Sequence, residues 1–222
     1  MKRRRRGRHP KKTRGPLPLQ RLSSHRSEKV GILIVGEGRE TEPNYFRALR
    51  NEQVVRQNFN VVVKKGQGGS PVAVVKQAIE EKNKAATRGE DFDEIWCVFD
   101  VEGADRRQQV LEARRLAELN GIWLALSNPS FEVWLLSHFV RTKRSFASSD
   151  KVVDELAKYW RREFEQDYHK IDEHLYARVA GRTQKAIDNA RRVREQDWDA
   201  SNDLLDCNSS TEIYLLVQRL LG

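Results

Sequence analysis

Cysteine is scarce in this chain: its 222 residues include two, Cys97 and Cys207, far apart in sequence. Cys97 lies inside an apolar run that reads as a strand, so both are expected as reduced, buried thiols and not as a disulfide framework. Long apolar runs are also missing. No stretch reaches the roughly eighteen residues a membrane span needs, and the basic N-terminus is not followed by the apolar segment of a secretory signal. The protein is therefore expected to be soluble and cytoplasmic, with no membrane partner. No internal repeat is visible.

Positive charge is abundant but confined. The formal net charge is +9, yet 12 of the 41 Lys and Arg, against one of the 32 acids, fall in the first 30 residues. The rest of the chain is slightly acidic. "MKRRRRGRHPKKTRGPLPLQR" has little to bury, and Pro10, Pro16 and Pro18 oppose helix, so residues 1–28 are expected to form a disordered basic tail. Arg3, Arg4, Arg5, Arg6, Lys11, Lys12 and Arg14 suit it to nucleic acid, with salt-sensitive, sequence-independent affinity. Docking on an acidic protein and simple solubilisation are the competing readings.

Residues 29–222 read as one α/β domain, with a core over 29–140 and a helical part over 141–222. Apolar runs at 30–35, 59–63, 95–99 and 122–127 predict strands, and helical patterns separate them. Thr41 is a candidate N-cap with Pro43 in the first turn, Ser70-Pro71 opens a second helix, and Gly121 closes a third. This β-α-β-α-β-α-β order predicts a parallel, Toprim/Rossmann-like sheet flanked by helices. After Pro129 the pattern is helical, over about 131–140, 151–164, 174–194 and 211–221.

In such sheets ligands collect beyond the carboxyl ends of the strands. Glu37 follows the first strand, in "GEGRETEPNYF", and Asp100 and Glu102 end the third. Strand alternation would put Asp100 and Glu102 on one side. If the first and third strands are neighbours, three acids converge and repel one another unless a cation sits between them. Oxygen ligands without histidine or thiolate favour Mg²⁺ or Mn²⁺. The backbone N–H groups of Gly36 to Gly38 would still approach a phosphate. Glu40 and Glu42 suit the dipole of the following helix and are treated as secondary.

Glu132 opens the helix after the fourth strand, a candidate fourth metal ligand or general base, or simply an acid favoured by the helix dipole. His138 is a candidate for substrate contact, or a half-buried histidine bonded to backbone. Arg182 and Lys185, with other cations of the 174–194 segment, form either a phosphate-tracking face or a solvated one.

A glutamate after the first strand with D-x-E after the third resembles the Toprim arrangement of topoisomerases, primases and overcoming-lysogenisation-type nucleases. More specifically, "ILIVGEGRETEPNYF", "VFDVEG", "SNPSFEVWLLSHF", "YHK" and "NSSTEIYLLVQRL" resemble the RloB-like family of bacterial defence-associated proteins. The resemblance implies a metal-dependent endonuclease acting on RNA, tRNA included, or on DNA, in antiviral defence by abortive infection. It also implies Lys170 as an electrostatic stabiliser and an AAA-type ATPase as a partner. A catalytically silent nucleic-acid-binding or nucleotide-binding subunit that regulates such an ATPase is the alternative. Two departures stand out: Glu102 replaces the second aspartate of D-x-D, and Asn208-Ser209-Ser210-Thr211 replaces N-P-S-T.

Overall fold

A strand covered on both faces has no polar side to show, and the apolar runs of this chain behave accordingly. The computed structural model describes residues 29–102, 106–199 and 202–222. Its sheet contains β1 (Val30–Gly36), β2 (Phe59–Lys64), β3 (Glu94–Asp100), β4 (Trp123–Asn128) and the short β5 (Ser210–Thr211), in the order β2-β1-β3-β4-β5. The first four are parallel, and β5 is antiparallel to β4. The expected α/β fold is present.

Alternation sorts each strand between two cores. Leu33, Val35, Ile95, Cys97 and Phe99 face helices α3 (Pro71–Ala86) and α4 (Arg107–Asn120). Ile32, Ile34, Trp96 and Val98 face the larger core, which includes residues of α1 (Thr41–Leu49), α5 (Glu132–Ser137), α6 (Ser149–Phe164), α8 (Thr183–Arg192) and α9 (Ile213–Leu221). Trp134 and Trp160 are its largest fully buried side chains. Cys97 and Cys207 are both buried and free, and burial pushes the Cys97 thiol up to about 12. Among the described residues no helix is long and apolar enough to cross a membrane.

Several boundaries differ from the sequence reading. The N-cap of α1 is Glu40, while Thr41 is the first helical residue and its hydroxyl donates to the Lys170 carbonyl at 3.1 Å. Ser70 does cap α3, accepting from the Ala73 N–H at 3.3 Å. The continuous helix expected over 174–194 is broken into α7 (Leu175–Val179), a 3₁₀ turn over Ala180–Arg182, α8 and a π turn over Val193–Asp197. The first break includes Gly181, a poor helix former. The short α2 (Gln53–Asn58) and β5 carry too few residues for a periodic signal and were not expected. Ser209, where the family motif has proline, adopts φ of 69°, a value closed to proline. The N-cap of the last helix is Glu212 and not the expected Ser/Thr, although Thr211 just before it accepts the Ile213 N–H at 3.2 Å.

Candidate functional site

Glu37 and Asp100 meet because β1 and β3 are adjacent and in register, Gly36 lying opposite Val98. The Glu37 N–H continues the ladder to the Val98 carbonyl at 2.9 Å, and the Asp100 N–H donates to Glu37 Oε2 at 3.2 Å. Both carboxyls therefore stand at the C-terminal edge of the sheet, as the strand order required. The chain just after Lys64 passes beneath them. A Cβ on Gly66 would run into the Glu37 backbone carbonyl, so glycine is demanded there by close approach, while one on Gly38 would meet the carboxyl end of the Glu42 side chain.

The loop itself behaves differently from a phosphate cradle. The N–H groups of Glu37 and Gly38, expected to approach a phosphate, already have partners: the Val98 carbonyl and, at 3.2 Å, Glu42 Oε1. Gly36 ends β1 with its N–H inside the strand. Glu42 is buried and belongs to the cluster, although its position in the first turn of α1 reads in sequence as an ordinary dipole-favoured acid. Burial, then repulsion from Glu132 and Glu37, pushes its carboxyl up to about 7, against the pull of backbone N–H bonds.

Burial also raises the Asp100 carboxyl well above the usual range, reinforced by Glu42, Glu132 and Glu37 and opposed by the N–H of Phe131. Glu132, the first residue of α5, is buried. It accepts from the Ser130 hydroxyl at 2.7 Å and the Tyr168 hydroxyl at 3.5 Å, and pairs with Lys170 Nζ at 3.1 Å. Desolvation lowers the Lys170 ammonium, but Glu132 outweighs it and the net shift is upward. Arg106, which no sequence motif marked, donates from Nη2 to Glu37 Oε1 at 2.6 Å. Four carboxyls thus share the sheet edge with two cations.

Glu102 is placed apart. β3 ends at Asp100, so the alternation that would have aligned the two carboxyls stops before it applies. Glu102 is exposed, accepts the Ser149 N–H at 3.3 Å, and lines a cavity of about 540 Å³ with Arg107, Asn128, Phe146 and Asn208. Among the described residues no three His, Cys, Asp or Glu side chains are already gathered as metal ligands. His138 is fully buried beside Tyr45 and Trp134, its Nδ1 near the Trp134 and Leu135 carbonyls, and burial drops it to about 4. That is a core position.

Arg182 pairs with Glu163 and lies over the Phe139 ring, while Lys185 stands exposed on α8. Arg178 and Arg191 pair with Asp172 and Asp188. Much of the expected cationic face is therefore neutralised within the fold. Arg3, Arg4, Arg5, Arg6, Lys11, Lys12 and Arg14 lie outside the described residues. Compared with known proteins, residues 32–220 match the model of the family described as RloB-like protein. No curated protein and no solved structure matches.

Proposed function

The chain belongs to the RloB-like family, and from that premise we propose that it is a Mg²⁺- or Mn²⁺-dependent endonuclease cutting phosphodiester bonds of RNA or DNA in antiviral defence. The observation that carries this reading is the cluster of Glu37, Glu42, Asp100 and Glu132 at the carboxyl edge of a parallel sheet. The donor set fits a hard divalent cation, since it is all carboxylate oxygen. Glu37 and Asp100 would hold the ion, with Glu42 completing the set. The bound cation would lower the pKa of water and neutralise charge at the scissile phosphate.

The chain's own residues supply the rest. Glu132, oriented by Ser130 and Tyr168, accepts a proton from the attacking water. Lys170, half exposed beside it, stabilises charge that builds on the phosphate oxygens. Glu102 lies outside the ligand set, and its cavity of about 540 Å³ suits a nucleotide flanking the cut.

The test is cleavage of tRNA, single-stranded RNA, single-stranded DNA and duplex DNA with Mg²⁺, Mn²⁺ or EDTA, comparing wild type with Glu37→Gln. Metal-dependent products that vanish in the variant are expected. Indistinguishable behaviour of the two proteins would favour a second reading, a silent nucleic-acid-binding subunit that regulates an AAA ATPase partner. The separate placement of Glu102 and the lack of a gathered ligand set among the described residues speak for that alternative.

The tail is proposed as an electrostatic tether. Deleting residues 1–28 is expected to weaken nucleic-acid binding, each lost phosphate contact lowering the slope of log K against log salt by roughly 0.9. A slope unchanged by the deletion, read from binding titrations at several salt concentrations, would place the contact on the globular body instead.

A further inference from the structure

Both oxygens of Glu37 are engaged. Oε2 accepts the Asp100 N–H at 3.2 Å, and Oε1 accepts Arg106 Nη2 at 2.6 Å. Arg106 stands immediately before α4, so the fold brings a guanidinium from one connection onto a carboxylate from another, 69 residues away in sequence. The two side chains are 23% and 16% exposed, which leaves the pair in reach of solvent and the bond exchangeable. A guanidinium presents five N–H donors in a planar fork that matches phosphate oxygens. Glu37 accepts from one of them, on Nη2.

We infer that Arg106 is a gate on the carboxyl cluster: it occupies Glu37 while the site is free of metal, yields it to a divalent cation, and then binds the scissile phosphate. This rests on the nuclease reading above. The physical reason is competition: Arg106 would share the Glu37 oxygens with a divalent cation, and two positive charges on one carboxylate repel. A partly exposed ion pair is weak enough to be exchanged. Once displaced, Arg106 remains at the sheet edge with a fork suited to a phosphodiester. Metal and substrate binding are then linked, since a phosphate that draws Arg106 away makes Glu37 available, and the linkage acts equally in both directions.

The experiment measures Mn²⁺ binding, with the metal alone, by calorimetry on the full chain, and cleavage by the same preparations. Wild type, Arg106→Gln, Arg106→Lys and Glu37→Gln are compared. Arg106→Gln is expected to bind Mn²⁺ about fivefold more tightly, because its competitor is gone, and to cleave about 100-fold more slowly. Arg106→Lys should keep near-normal Mn²⁺ affinity and recover part of the rate. Unchanged or weaker Mn²⁺ binding in Arg106→Gln, or a wild-type cleavage rate, overturns the gate while leaving the nuclease reading intact. A wild-type protein that neither binds Mn²⁺ nor cleaves overturns both.

Discussion

Asp100→Asn is expected to reduce metal-dependent cleavage by about 10³-fold and, at the same time, to stabilise the metal-free protein above neutral pH. The two effects share one origin. Asp100 is held among Glu42, Glu132 and Glu37, and its carboxyl is raised well above the ordinary range. A carboxyl whose folded pKa is raised contributes stability that is fully present below its unfolded value and is lost as pH rises through the folded one. Glu42, raised to about 7, acts in the same direction. Metal-free wild type should therefore weaken as pH rises from about 4 through about 7, and Asn, neutral throughout, escapes the part due to residue 100. It can still accept the Phe131 N–H through its carbonyl. The variant should therefore have the higher Tm at pH 8. Thermal unfolding in EDTA at pH 4 and pH 8 tests this: near-equal Tm at pH 4 and a higher Tm for the variant at pH 8 are expected. A lower Tm at pH 8 would mean that Asp100 is not under repulsive load.

Trp160→Ala is expected to cost about 3–5 kcal/mol of stability and to reach the site through packing. Trp160 is 1% exposed, and its ring meets Phe164 at 4.8 Å and Tyr168 at 5.3 Å between centroids. Tyr168 in turn donates to Glu132, and the segment that follows it carries Lys170. Removing the indole leaves a cavity under α6 and frees Tyr168 to move. Denaturant unfolding should show the lost stability, and cleavage assayed where the variant is still folded should fall with it. Trp160→Phe, which keeps an aromatic edge for Tyr168, should recover most of both. A loss below about 1 kcal/mol for alanine would show that the helical layer repacks around the gap.

The sheet was legible in the sequence because contiguous apolar strands and periodic helices give strong, separable patterns. Glu37 and Asp100 were legible for the same reason: each directly follows or ends a strand, and parallel sheets place such residues on one edge. Glu132 and Lys170 came from a helix start and a family motif, and they meet at 3.1 Å. Glu42 was underrated because an acid in the first turn of a helix has an ordinary explanation, and only its burial against the Gly38 N–H distinguishes it. Arg106 carried no local signal, since pairing across 69 residues depends on tertiary placement. Glu102 lies two residues past the last residue of β3, where strand alternation no longer sets the direction of a side chain. The partners of the loop amides were hidden for a related reason: composition shows that glycine can expose an N–H, and only the fold shows which acceptor it meets.

β1 begins at Val30 and ends at Gly36, so the chain enters the sheet at one edge and the carboxyl cluster occupies the other. At about 3.3 Å per residue, these edges lie roughly 20 Å apart. Residues 1–28 are thus joined to the body on the side away from the chemistry, yet a chain of that length can span at most about 95 Å when fully extended. In the tether reading proposed above, nucleic acid held by the arginines would have to reach the carboxyl edge from the opposite side of the sheet, a separation that a connection of that length can bridge.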